Sequence, residues 1–212
     1  MLKKILGGLA AAILLFVGFI ATRPDTFTTQ RSAVLPVSAD IAFARVNDLR
    51  RWSDWSPWAA LDPQQKNTYS GPESGTGSSQ SWVGNDQVGE GRMTITDSKA
   101  NEQVTLELEF IKPIASTSTT TFTFSPAEGG TQVVWTMSGD HNFLSKVMSL
   151  FIDMDAMIGK DFEKGLANLK TVAEADAKKR AEAEEKARAE AEAAAAAQNA
   201  EAAPAVAAPA TP

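Results

Sequence analysis

The run Leu49-Arg50-Arg51-Trp52-Ser53-Asp54-Trp55-Ser56-Pro57-Trp58 places three of the chain's five tryptophans within seven residues. Each indole buries a large apolar area, and its N–H still needs an acceptor once it leaves water. A group this dense, interrupted by a proline, marks a folded junction where several elements converge. It also reads as the wall of an apolar space. At least one of Trp55 and Trp58 is expected to pack at one end of that space, and Trp52 in the junction itself.

Upstream lies Val37-Ser-Ala-Asp-Ile-Ala-Phe43-Ala-Arg-Val-Asn-Asp-Leu49. Ser38 suits a helix N-cap. Ile41, Ala42, Val46 and Leu49 recur at helical spacing, with Phe43 close to the same face. Before it, residues 25–35 are rich in β-branched side chains and read as a strand. Pro36 ends that strand, because proline cannot donate to a ladder.

Downstream, between Lys66 and Asp140, the period changes to two, with glycine-rich breaks. Residues 78–83 read as a strand containing Trp82. Another opens at Gly89-Glu-Gly91, with Met93 and Ile95 on one face. Val104, Leu106, Leu108 and Phe110 alternate with Thr105, Glu107 and Glu109, the clearest amphipathic strand in the chain. Lys112-Pro113 ends it. Phe122 and Phe124 face inward from a threonine-rich strand over 116–124. Glu128-Gly129-Gly130 is a hairpin turn, and Val133, Trp135 and Met137 alternate beyond it. One apolar and one polar face on successive strands predict an antiparallel sheet, wet on one side.

From Phe143 to Val172, apolar residues recur at three- and four-residue steps, predicting one long amphipathic helix. At about 1.5 Å per residue it has the length to cross the whole sheet. One apolar sheet face needs one cover, and this helix supplies it.

The chain has 212 residues, a net charge of −6 and no cysteine. Disulfides, thiolate metal sites and cysteine nucleophiles are excluded. There is no basic stripe of the kind that nucleic-acid binding requires, so no nucleic-acid partner is expected. Lys3 and Lys4 precede an uncharged stretch, Ile5 to Thr22, near the lower length limit for a membrane span. The positive-inside rule keeps the lysines in the cytoplasm. The following domain is then expected on the periplasmic side of a bacterial inner membrane. A cleaved signal peptide is the competing reading, but Phe19-Ile20-Ala21 is a poor cleavage site. The expected organisation is an anchor over 1–23, one domain over 24–172 and a tail over 173–212. The tail begins with helix-favouring Ala, Glu and Lys and carries no large apolar residue. From Ala193 on, its Ala/Pro-rich composition predicts disorder.

The order strand, short helices, antiparallel strands and long C-terminal helix resembles the START-like, or Bet v 1-like, helix-grip superfamily (SRPBCC). More closely it resembles the polyketide cyclase/dehydrase and lipid-transport group. Four stretches carry the resemblance: Val37–Phe43 continuing through Asn47-Asp-Leu49 to Trp58, Val88-Gly-Glu-Gly-Arg-Met93, Gly130-Thr-Gln-Val-Val-Trp135-Thr-Met137-Ser-Gly139, and Met157-Ile-Gly-Lys-Asp-Phe162-Glu-Lys-Gly165-Leu-Ala-Asn-Leu169. The resemblance covers about residues 26–172 and leaves out the anchor and the tail. It implies an α+β fold in which a curved antiparallel sheet wraps the C-terminal helix around an apolar cavity. It further implies a hydrophobic small molecule or lipid as ligand. The superfamily has no universal catalytic motif, so it assigns no catalytic residue, cofactor or metal here.

If the cavity is open, the inward positions line it. These are Trp82, Met93, Leu106, Leu108, Phe110, Phe122, Phe124, Trp135 and Met137 on the sheet, and Phe151, Met154, Asp155 and Ile158 on the helix, with Trp55 and Trp58 at one end. Apolar stripes equally well pack against each other and fill such a space. Asp155 is the odd member. Facing inward, it would have to be paired or carry a raised pKa; turned half a step, it faces solvent beside Asp153. These two aspartates are two apart on a helix and cannot form a facing acid/base pair. His141, the only histidine, reads as a polar turn residue rather than a general base. Gly75-Thr-Gly77 and Gly89-Glu-Gly91 lack the lysine-serine pair of a phosphate loop.

Three functions remain in view. The first is a non-catalytic, membrane-anchored module for an apolar ligand. The second is a cyclase- or hydrolase-type enzyme using the same cavity. The third is a partner-binding protein acting through its charged tail.

Overall fold

Alternation in the strands becomes one seven-stranded antiparallel sheet, in which the first strand pairs with the last and the others neighbour one another in chain order. The computed structural model describes residues 1–141, 143–151 and 153–201. Helix α1 (Leu2–Ala21) precedes β1 (Thr26–Leu35), α2 (Ala39–Asn47) and a 3-10 turn, Leu49–Asp54. Strands β2 (Lys66–Ser70), β3 (Ser79–Val83), β4 (Glu90–Lys99), β5 (Gln103–Lys112), β6 (Ser116–Ala127) and β7 (Gly130–Asp140) follow. Helices α3 (Phe143–Met148) and α4 (Met154–Glu201) complete the order. Two compact units result, Met1–Glu174 and Ala175–Pro212.

Register fixes which side chains share the concave face. Arg31, Trp135, Phe122 and Val104 lie opposite one another on β1, β7, β6 and β5. The next row holds Thr29, Met137, Thr120, Leu106 and Ile95. The row beyond it holds Phe27, Gly139, Ser118, Leu108, Met93 and Gln80. Register shifts in β4 at Glu90/Gly91 and Ile95/Asp97 add local bend and twist.

The tryptophan run closes α2. The Trp52 Nε1–H donates to the carbonyl of Val46 at 2.9 Å, and Trp55 Nε1–H donates to that of Arg45 at 3.3 Å. Both acceptors lie in the last turn of the helix, where carbonyls have no partner within it. Apolar burial and helix termination are thus met by the same two side chains. Ser38 sits at the N-cap position, although its hydroxyl makes no capping bond.

Two expectations need correction. The helix predicted over 143–172 is broken: α3 ends at Met148 and α4 starts at Met154. Asp153 accepts the amide N–H of Ala156 at 2.9 Å, the bond of an N-cap aspartate. Ser149 Oγ donates back to the Lys146 carbonyl at 2.8 Å, satisfying the end of α3. Apolar spacing continues across the break, so periodicity does not register it. Second, the segment expected to be disordered from Ala193 is helical as far as Glu201, where α4 ends. Alanine is the best helix former, and Pro204 is the first proline of the tail. The rest of that segment lies outside the described residues. The helical part of Ala175–Pro212 carries i,i+4 ion pairs, among them Arg180–Glu184 and Arg188–Glu192.

Helix α4 crosses the concave face on two glycines. A Cβ at Gly165 would stand 2.7 Å from Cζ3 of Trp135 and 3.1 Å from Cδ of Pro57. A Cβ at Gly159 would meet the guanidinium of Arg31. Glycine to alanine in a helix normally gains about 1 kcal/mol. We expect Gly165→Ala instead to lose about 1–3 kcal/mol, because the Trp135 ring is packed on all sides. Gly159→Ala should stay within about 1 kcal/mol of the parent, since Arg31 swings aside and the lost ion pairs offset the propensity gain. Denaturant unfolding of the two variants checks this; a stabilised Gly165→Ala would contradict the seating of α4 on Trp135.

Candidate functional site

The space between sheet and α4 is unevenly filled. At one end the Trp135 and Phe162 rings stack with centroids 4.0 Å apart and planes at 8°. Trp55 lies edge-on to Trp135 at 5.7 Å and to Phe122 at 6.0 Å, and Trp58 lies edge-on to Trp135 at 5.8 Å. Trp52 joins the same block through Trp55, Phe122 and Trp135, so it does more than fill the junction. Trp55, Phe122 and Trp135 are buried, while Trp58 is half-buried. Phe124 is buried against Phe43, and Leu106 is buried in the middle of the sheet. These nominated residues pack against each other.

The other end is looser. Trp82, Leu108 and Phe110 are only half-buried on the concave side. Trp82 and Phe110 meet edge to face at 6.1 Å. Met93 and Met137 lie below them, at 8% and 7% exposure. Polar groups are set into this wall: Gln80, Ser118, Thr120 and Thr29 are all buried. Gln80 donates through Nε2 to Asn67 at 3.1 Å, but its Oε1 has no partner. Trp135 Nε1 is likewise buried without a partner. A buried polar atom left unpaired costs about 1–3 kcal/mol. Trp135 Nε1 is enclosed by the aromatic block, so Gln80 Oε1 is the point at which a ligand group would gain a bond.

At the β1 edge a groove of about 530 Å³ opens beside the α3–α4 break. Phe27 and Thr29 of β1, His141, Leu150, Phe151 and Met154 are among its lining residues. Of the nominated helix positions, Met154 and Ile158 are half-buried. Phe151 is 81% exposed, because it precedes α4 and shares no helix face with Ile158 and Phe162. His141 Nδ1 lies 3.2 Å from Ser145 Oγ, and its ring tilts against Phe27 at 5.3 Å. Among the described residues, no three His, Asp or Glu side chains are grouped to share a metal ion.

Asp155 is exposed, lines the groove together with Asp153, and is tied to the sheet. Both of its oxygens accept from Arg31, Oδ2 from Nη2 at 3.1 Å and Oδ1 from Nη1 at 3.3 Å. Arg31 Nη2 also reaches the Asp155 carbonyl at 3.1 Å, and Nε reaches Glu163 Oε1 at 3.0 Å. The Arg31 hydrogen bond is the main cause that holds the Asp155 carboxyl below its usual range; partial desolvation opposes it and a Thr29 bond adds to it. Sequence reasoning missed Arg31, Thr29 and Phe27. Strand parity was the available signal, since all three lie in step with inward-facing Leu35.

The family described as polyketide cyclase/dehydrase and lipid transport matches residues 26–174. Solved structures share the fold. A protein of Chromobacterium violaceum is 13% identical, with a TM-score of 0.51, covering 72% of this chain and 99% of its own. A Staphylococcus aureus protein of unknown function is 14% identical, with a TM-score of 0.52, covering 72% and 96%. The di-domain ARO/CYC StfQ of the steffimycin biosynthetic pathway is 10% identical, with a TM-score of 0.52, covering 72% of this chain and 52% of its own. Comparison with curated proteins returns no match. At these identities the likeness establishes the helix-grip fold.

A carboxyl whose folded pKa is depressed adds stability above its unfolded pKa, and that stability is lost as pH falls through the folded value. The Arg31–Asp155 tie should therefore hold α4's first turn at neutral pH and release it only below about pH 4. Amide exchange in the first turn of α4 against pH should show an acid transition that Asp155→Asn abolishes. A transition centred above the ordinary aspartate range would contradict the assignment.

Proposed function

The chain belongs to the polyketide cyclase/dehydrase and lipid transport family, and from that premise we propose that it is a membrane-anchored START-like domain holding a hydrophobic small molecule or lipid without transforming it. The observation that carries this reading is the uneven filling of the concave face. One end is closed by stacked aromatics; the other keeps half-buried Trp82, Leu108 and Phe110. The row of Leu108 runs through Ser118 and Gly139 to Phe27, which lines a groove of about 530 Å³ at the β1 edge. That volume falls within the range of small-molecule pockets, about 300–1,000 Å³. Met93, Met137 and Met154 add adaptable thioether surface suited to a ligand of variable shape.

A lipid is favoured over a soluble ligand by α1, which is long and apolar enough to cross a membrane. Lys3 and Lys4 set its orientation, with the domain on the periplasmic side of a bacterial inner membrane. The groove residues Phe27, Leu150 and Met154, with Leu108 and Phe110 on the sheet, are the proposed apolar contacts. Gln80 Oε1 is the proposed polar one.

Full-length protein in vesicles containing a photoactivatable phospholipid tests the reading. Adducts are expected on β5 at Leu108–Phe110 and on the first turn of α4. Leu108→Trp fills the looser end and should reduce those adducts about tenfold, because added bulk there leaves no room for an acyl chain. Adducts confined to α1, or unchanged by Leu108→Trp, would end the proposal.

A further inference from the structure

The last turn of α1 is not free. Ile20 is fully buried, whereas the rest of the helix is exposed, and α3 is the element packed against it. Only four residues, Thr22 to Asp25, separate α1 from β1. They are tied down as well: Asp25 pairs with Lys146 of α3, and its carbonyl accepts the His141 amide N–H at 2.6 Å. The position of α3 beside the exit of α1 is therefore fixed by bonds rather than left to a loose tether.

Around that exit the surface is unusually apolar. Phe143, Met148, Phe151 and Met157 are 55%, 37%, 81% and 51% exposed. Phe19 is 48% exposed at the end of α1, with the Arg23 guanidinium 4.7 Å above its ring. Large side chains left in water at one place need a partner. The final turn of a spanning helix lies at the boundary between hydrocarbon and headgroups, so an element that buries Ile20 lies at that level too.

We propose that Phe143, Met148, Phe151 and Met157 seat in the membrane interface beside α1, docking the domain on the bilayer that α1 crosses. Phe151 lines the groove as well, so the groove then opens onto lipid rather than onto bulk water. An acyl chain would enter along Phe27, Leu150, Phe151 and Met154, past the polar Thr29, His141 and Asp155 of the same lining. Interfacial seating needs no strong basic patch, since aromatic and apolar side chains favour the headgroup boundary by themselves. The exposed charges at the same place are of both signs, Arg23 against Asp140 and Asp153. The inference rests on reading α1 as a membrane span.

The chain lacks cysteine, so single-cysteine variants of the full-length protein accept one environment-sensitive fluorophore each. Ile13→Cys reports α1, and Met148→Cys and Phe151→Cys report the docking residues. Glu128→Cys reports the β6–β7 turn, about 35 Å away along β7. The proteins are placed in vesicles of 3:1 phosphatidylcholine and phosphatidylglycerol carrying nitroxide lipids, with the nitroxide shallow or deep. Residues 148 and 151 should emit blue-shifted and be quenched at least about twofold more by shallow nitroxide than residue 128, as expected for interfacial insertion. Residue 13 should be quenched by deep nitroxide. Quenching at 13 with water-like emission at 148 and 151 overturns the docking alone. Blue-shifted emission at 151 without lipid quenching also overturns it, and indicates that a second copy of the chain covers the patch. Absence of deep quenching at 13 overturns the span and the docking with it. Phe151 is so exposed that its replacement leaves the fold intact, which keeps the comparison clean.

Discussion

The stack of Trp135 on Phe162 sets the height of α4 above the sheet. Two rings parallel at 4.0 Å leave no freedom in the distance between strand and helix at that point. Gly165, one turn further along α4, gives way to the edge of the same indole. Trp52, Trp55, Trp58 and Phe122 then close around the pair. Aromatic area dominates such a block, and edge-to-face contacts add about 0.5–1.5 kcal/mol each beyond burial. The unpaired Nε1 of Trp135 is the cost of placing an indole at the centre of so apolar a group. The neighbouring Trp52 and Trp55 avoid that cost by reaching the carbonyls of α2.

Stability along α4 is therefore graded. Phe162, Leu166 and Leu169 are buried and hold the middle of the helix through apolar contact. The first turn has Arg31 instead, bonded to Asp155 and Glu163, which are 56% and 63% exposed. Exposed ion pairs contribute about 0–1 kcal/mol, far less than buried rings. Local opening thus begins at the end that adjoins the groove. Gly159 belongs to the same arrangement, since it lets the guanidinium lie flat across the helix.

The sheet was legible in the sequence because its period of two is set by backbone geometry alone. Val104 to Phe110 and Val133 to Met137 alternate as strictly in space as in the chain. The tryptophan junction was legible because few structures accommodate three indoles at that spacing. The α3–α4 break was not, because Leu144, Val147, Met148 and Phe151 keep helical spacing up to it while the determinant is one capping bond from Asp153. Strand β2 was not singled out either: its five residues alternate weakly and lie mostly exposed at the sheet edge. Arg31 escaped notice for a different reason. Its role depends on a glycine 128 positions later, and no local pattern joins the two. Whether the cavity is filled depends on side-chain volumes meeting across the fold, which periodicity does not measure.

Topology brings α1 and the groove together. In an antiparallel pair the start of one strand lies beside the end of the other, and Thr26 is paired with Asp140. The exit of α1, which leads into β1, must therefore lie next to the point where β7 hands over to His141 and α3. The break that opens the groove follows six residues of helix later. No rearrangement of loops is needed to bring the exit of α1 and the groove to the same end of the sheet. The pairing of the first strand with the last makes that outcome unavoidable for any N-terminal span joined by so short a linker. An N-terminal anchor on this fold thus differs from a tether attached elsewhere. At the β6–β7 turn, an equally short linker would hold the aromatic end near the bilayer and point the groove away from it.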